Sequence, residues 1–169
     1  MSVMFKLNMP EKGVTFMRTL LGATTEIEDG CSHQIIERED YRFHVIRPES
    51  LTDTDAPVIV SIHGGGWMVG AVDGCYKFYS IMAMETNSVV IAPDYRLSPE
   101  HVFPAALDDV VDTIEYVYNN ADQLGVDHNK IIVTGDSAGG GLALSAALVI
   151  ERDSNAFIKV SFNKYLKLN

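Results

Sequence analysis

The chain has 169 residues, 47% of them hydrophobic, which is enough for one globular domain with a substantial core. Thirteen basic against twenty-three acidic side chains leave a formal charge of −10, so nucleic acid and anionic membrane surfaces are not expected as partners. No apolar run approaches the ~20 residues of a membrane span, and Met1 to Met9 lacks the basic-then-apolar order of a signal peptide; cytoplasmic residence is the expectation.

Along the chain, Phe16, Met17, Leu20 and Leu21 recur at helical spacing and predict a short amphipathic helix over residues 11–21. Residues 34–47 read as two short strands around Glu39-Asp40, with Tyr41, Phe43 and Val45 alternating against polar neighbours. After a polar loop from Pro48 to Pro57, three compact apolar runs follow: Val58–Ile62, Val89–Ala92 and Ile131–Thr134. Such runs mark strands buried on both faces. Helices are predicted between them over 75–86 and 104–121, the second carrying Leu107, Val110, Val111, Ile114, Val117 and Tyr118 on one side. A third, over 138–150, is nearly all small or apolar and is expected to be buried. Buried strands alternating with helices imply right-handed βαβ units and a mostly parallel sheet with helices on both faces. A last apolar run, Phe157 to Phe162, can begin a further strand.

Cys31 and Cys75 lie far apart without metal-ligand spacing and read as buried free thiols. Lys159, Lys164 and Lys167 are too sparse for a basic patch and read as a solvated end. With no ligand cluster, no metal and no organic cofactor are expected.

In an open α/β sheet the chemistry sits at the carboxyl ends of the strands. After Ile131–Thr134 comes Gly135-Asp136-Ser137-Ala138-Gly139, a G-x-S-x-G pattern between strand and helix. There it reads as a nucleophile turn: Ser137 is held strained at the apex, and the flanking glycines admit a turn too tight for a Cβ. The helix start behind it offers free N–H groups to a developing oxyanion. The competing reading is a serine that merely caps a helix. A phosphate-binding loop is excluded, because no lysine follows the glycines.

After Val58–Ile62 comes His63-Gly64-Gly65-Gly66-Trp67. Consecutive glycines let backbone N–H groups turn toward one point, so Gly64, Gly65 and Gly66 together with Ala138 are candidate oxyanion donors. The bland alternative is a flexible turn. A dinucleotide fingerprint is excluded by the spacing to Gly70 and the missing acidic residue on a second strand end. His63 is expected to lock the glycine loop rather than face Ser137. Asp136, Gly135 and Gly139 are expected to support the motif.

Three blocks carry a resemblance: I-H-G-G-G-W at 62–67, D-Y-R-L-S-P-E-H-V-F-P-A-A-L-D-D at 94–109 and G-V-D-H-N-K-I-I-V-T-G-D-S-A-G-G-G-L-A at 125–143. With them the chain resembles the hormone-sensitive-lipase family of α/β-hydrolases, closest in pattern to arylacetamide-deacetylase-like carboxylesterases. The resemblance implies the N-terminal part of an α/β-hydrolase fold, with C-terminal strands missing, over a single incomplete domain of residues 1–169. Within it, 1–33 is a short cap segment, 34–162 the sheet core and 163–169 a divergent tail. It also implies a serine carboxylesterase acting on small-molecule esters of short to medium acyl chains. Gly141 stands where many relatives carry Asn. Asp94 and Arg96 follow a buried strand, so their charges must be satisfied internally, by each other or by nearby backbone. Pro99 and Pro104 are expected to stiffen the loop before the helix that starts at Ala105.

The family's triad acid and histidine lie well downstream of the nucleophile, and no acid or histidine follows residue 163 here. His128 precedes the Ser137 strand and is expected some 16 Å away, at the opposite end of the sheet. His33 and His44 belong to the hairpin region, and the resemblance gives His101 no catalytic role. Catalysis by these residues alone is therefore in question. The alternative is a hydrolase-fold protein that binds a ligand or partner without catalysis, as in the gibberellin receptors, or an inert product. An unpaired edge at the Ser137 strand would favour self-association.

Overall fold

The computed structural model describes residues 11–153. The predicted strand at 157–162, the tail at 163–169, the three tail lysines and Met1 to Met9 lie outside these described residues.

The elements run α1 (Glu11–Leu21), β1 (Cys31–Glu37), β2 (Arg42–Pro48), β3 (Ala56–Ile62), α2 (Tyr76–Thr86), β4 (Val89–Asp94), α3 (Ala105–Asn119), α4 (Ala121–Leu124), β5 (Val126–Gly135) and α5 (Ala138–Asp153), with a 3-10 turn at Val72–Cys75 before α2. They build one sheet in the order β1-β2-β4-β3-β5. β4, β3 and β5 are parallel, while β2 pairs antiparallel with both β1 and β4. The sheet is thus mixed, because a hairpin joins a βαβ core. The fold is α/β, with helices on both faces.

Alternation along the central strands sorts their side chains between two cores. Val58, Val60, Ile62, Val89 and Ile91 pack with Val110, Ile114 and Val117 of α3 and Leu142, Ala143, Ala146 and Ile150 of α5. Ile59, Val90 and Ala92 face the other way, onto Tyr79 and Ala83 of α2.

Several expectations need correction. On β2, His44 and Ile46 are buried as fully as Phe43 and Val45, because α2 covers the face that was expected to be polar. β5 does not share the two-sided burial of β3 and β4: Ile132 is 39% exposed, since β5 is the sheet edge among the described residues. Nor is α5 buried all round, for Leu144 and Leu148 lie on its outer side at 45% and 58% exposure. In α1, Val14 rather than Phe16 is the buried residue. The helix predicted over 104–121 breaks at Asn120, and α4 follows as a separate turn closed by Gly125 at φ 62°. β5 is longer than its apolar core suggested. Its register against β3 jumps from Ala56↔Val126 to Val58↔Ile131, so residues 127–130 bulge out and His128 sits within the strand, edge-on to Tyr118.

Candidate functional site

β3 and β5 lie side by side and parallel, so the glycine loop that leaves β3 and the turn that leaves β5 emerge at the same end of the sheet. The Ser61↔Thr134 and Ile62↔Gly135 pairs bring the two segments together. At the crest of the turn Ser137 has φ 49°, a left-handed conformation that costs a non-glycine residue roughly 1–3 kcal/mol. Close packing beneath it holds the strain. An added Cβ on Gly139 would collide with the Ile62 and His63 carbonyl oxygens, and one on Gly135 would press on Gly139. The flanking glycines are thus required sterically.

The loop is pinned to the turn by Asp136, whose Oδ1 accepts the Gly64 N–H at 3.0 Å. The Asp136 N–H in turn donates to Ile62 O at 3.3 Å. Gly64 therefore already has a partner for its N–H and is not an open donor, unlike the sequence expectation for it. The N–H groups of Gly65, Gly66 and Ala138 have no acceptor among the described residues. Gly65 and Gly66 take φ of 125° and 62°, which turns the peptide planes as an L side chain would resist. Ala138 is the first residue of α5, where the helix dipole adds positive character.

His63 is 2% exposed and stacks on Tyr95, with ring centroids 4.3 Å apart and planes 12° apart. Its Nδ1–H donates to Gly64 O at 2.7 Å, and Tyr95 OH donates to His63 O at 2.9 Å. Burial lowers its pKa, so the neutral ring is favoured. The imidazole braces the loop from beneath.

Asp94 and Arg96 do not pair with each other. Arg42 meets Asp94 at 3.2 Å, while Arg96 grips the 2%-exposed Asp109 through Nε and Nη2 and reaches Asp40 through Nη1. Asp109 also accepts the Arg96 N–H at 2.8 Å, which ties the segment after β4 to α3.

Two further residues contribute, though the motifs assign neither a role. Arg18 of α1 donates to Met68 O at 2.8 Å and Ser98 O at 3.1 Å, and holds Glu100 at 2.8 Å, so it straps α1 to the glycine loop and the next loop. Trp67, at φ 62°, accepts the Ser98 N–H through its carbonyl, and its ring lies over Gly141, 3.8 Å from where a Cβ would stand.

None of the five histidines is bonded to Ser137 among the described residues. His33 Nε2 and Tyr76 OH both contact His44 Nδ1 at 3.0 Å under α2, on the hairpin side. His101 is fixed through its backbone to Leu97 O. Cys31 and Cys75 are free but only half-buried, rather than buried as expected, with thiol pKa values raised chiefly by that partial burial. Among the described residues no helix is long and apolar enough to cross a membrane, and no His/Cys/Asp/Glu group could hold a metal.

Residues 59–163 match the family described as alpha/beta hydrolase fold. An AB hydrolase superfamily protein of Schizosaccharomyces pombe is 45% identical over 87 residues, 52% of this chain and 26% of that protein. Carboxylesterase NlhH of Mycobacterium tuberculosis is 42% identical over 87 residues, 52% of this chain and 27% of that protein. The solved hyperthermophilic esterase from Pyrobaculum calidifontis superposes with a TM-score of 0.71 at 35% identity, over 88% of this chain and 48% of that one. The chain thus spans about a quarter of the length of these curated relatives and about half of that solved structure. On the match over 59–163 and these likenesses, the chain belongs to the α/β-hydrolase fold family, in its hormone-sensitive-lipase and carboxylesterase branch.

Proposed function

We propose that this chain supplies the nucleophile and oxyanion-binding portion of a carboxylic ester hydrolase. Ser137 Oγ attacks the ester carbonyl, the alcohol leaves, and water then releases the acid from the acyl-serine. The Gly65, Gly66 and Ala138 N–H groups receive the negative charge that builds on the carbonyl oxygen; one such donor is worth about 3 kcal/mol in comparable sites. Gly64 contributes the close approach of Asp136, which a Cβ there would block, rather than a donor. His63, Asp136, Gly135 and Gly139 hold this arrangement, and small-molecule esters of short to medium acyl chains are the substrate class.

One observation carries the reading: Ser137 is strained to φ 49° at a strand-to-helix turn pinned to a loop with two open N–H groups. A serine that only caps a helix sits in extended backbone and needs no such strain. The named esterases among the relatives support it. The test is hydrolysis of a short-chain nitrophenyl ester by the full chain and by Ser137→Ala. Weak turnover is expected in the first, since no histidine is bonded to Ser137 among the described residues, and none in the second; equal turnover would sink the reading.

The lack of a histidine bonded to Ser137 among the described residues favours a second reading, a hydrolase-fold protein that binds its ligand without turnover. Saturable ester binding by both proteins, with hydrolysis by neither, distinguishes it.

A further inference from the structure

A cavity of about 320 Å3 lies between the β1–β2 hairpin and α4, lined by Ser32, His33, Gln34, Val45, Arg47, Gln123 and Leu124. The Ser32↔Arg47 and Gln34↔Val45 pairs place these side chains on one face of the hairpin, and Gln123 and Leu124 close the opposite wall. β2 runs antiparallel to β4, so Arg47 sits near the end of the sheet where the parallel strands begin. Ser137 follows the other end, and the cavity is separate from the candidate active site.

No acidic residue lines this cavity, although the chain carries a formal charge of −10. Arg18, Arg38, Arg42, Lys77, Arg96 and Lys130 each meet a carboxylate within 3.2 Å. Arg47 meets none among the described residues and bonds only to carbonyl oxygens: Leu124 at 2.6 Å, Gly125 at 2.9 Å and Asp53 at 3.5 Å. Burial lowers its pKa, and no carboxylate acts in the other direction. Of the five N–H donors of a guanidinium those bonds use three, leaving two, one of them on Nε. A half-buried cation with two open donors shares this cavity with the side chains of Gln34 and Gln123, and such surroundings favour a negative charge.

We propose that this cavity binds a small carboxylate, its oxygens on Arg47 and the glutamine amides and its short apolar chain against Val45 and Leu124. Both Nη2 hydrogens are held by Leu124 O and Gly125 O, so a carboxylate accepts from the Arg47 Nε–H with one oxygen and from a glutamine amide with the other, and the two aliphatic side chains favour an organic acid over an inorganic ion.

The test is an NMR titration of the full chain with butyrate, with butyramide and inorganic phosphate at matched ionic strength. Butyrate is expected to shift the Gln34 and Gln123 side-chain amides and the Arg47 Nε–H saturably, and butyramide to leave them unmoved. Arg47→Met should weaken binding at least about tenfold, the loss expected for a charge-assisted bond. Because Arg47 also holds the α4 carbonyls, Gln123→Leu is the companion variant; it should weaken butyrate severalfold with an unchanged melting temperature. Absence of saturable shifts at concentrations well above ~1 mM would overturn the proposal. So would an equal response to butyramide, which marks an apolar cleft, or to phosphate, which marks an unselective anion site.

Discussion

The Asp136 carboxylate and the Gly64 amide, 72 residues apart, meet at 3.0 Å and join the serine turn to the glycine loop. The bond is exposed at its rim, so its worth is below that of a buried charged hydrogen bond, about 1 kcal/mol. Asp136→Ala should therefore lower the melting temperature by roughly 2–4 °C. Asp136→Asn keeps an acceptor at Oδ1 and should recover most of the loss. Calorimetry of the three proteins checks this, and an unchanged Asp136→Ala would show that the contact does not hold the loop.

Gly139 has backbone on the side where a Cβ would go, the Ile62 and His63 carbonyl oxygens, and neither can swing aside as a side-chain end can. Gly139→Ala should cost about 1–3 kcal/mol or more by overpacking, whereas Gly66→Ala, with open space around it but φ 62°, should cost only about 1 kcal/mol in backbone strain. Urea midpoints of the two variants, compared with the parent, read the difference directly. A milder Gly139→Ala than Gly66→Ala would contradict the packing described.

Removal of Asp109 leaves Arg96 with only the exposed Asp40 and strips the partner from the Arg96 amide. Asp109→Ala is expected to cost about 3–5 kcal/mol, as breaking one side of a buried pair does. Arg42→Ala, whose pair with Asp94 is largely exposed, should cost under about 1 kcal/mol. Chemical denaturation of both variants gives the comparison, and similar losses would refute the difference in burial as its cause.

His44, 2% exposed, has its pKa lowered to about 4, first by burial and then by neighbouring charges that partly cancel. A folded-state pKa below the unfolded 6.5 means that the unfolded chain takes the proton first as pH falls. The contribution is therefore complete above about pH 6.5 and is lost progressively between 6.5 and 4, for a total of about 3 kcal/mol. His33, also lowered by burial, adds in the same direction. Urea unfolding from pH 7 to 4 should show this slope, and His44→Phe should flatten it. An equally steep slope in His44→Phe would place the effect elsewhere.

Glu100 is held at about 2 chiefly by its bond to Arg18, so the Glu100 arm of the strap on α1 is intact above the usual glutamate range and lost as pH falls from about 4.5 through 2, while the bonds to Met68 O and Ser98 O do not titrate. The protection of the α1 amides, measured as exchange relative to the intrinsic rate at each pH, should fall over that window in the parent, and Arg18→Met should show low protection already at pH 7. Exchange that does not differ between the two at pH 7 would mean that packing, not Arg18, seats the helix.

The sequence alone determined the order of strands and helices, the glycine loop after β3 and the G-x-S-x-G turn after β5, because these depend on local periodicity and on backbone conformations open to few residues. Ile59 and Val60 read as strand whatever they touch, and three glycines in a row read as a special loop in any fold. Tertiary structure alone decided which partners close the charges and which faces meet water. Arg96 chooses Asp109 over Asp94 because α3 packs back across the sheet, and nothing in the spacing of 94 and 96 foretells that. Ile132 and Val133 are neighbours of the same chemistry, yet one is 39% exposed and the other 2%, because α5 covers one face of β5 and α2 does not reach the other. Gly64 looked like a third donor from the loop until Asp136 took its N–H, a bond that exists only because parallel pairing of β3 with β5 sets the two segments side by side. Local conformation is written in neighbouring residues, whereas pairing and burial are settled by which distant segments share a surface.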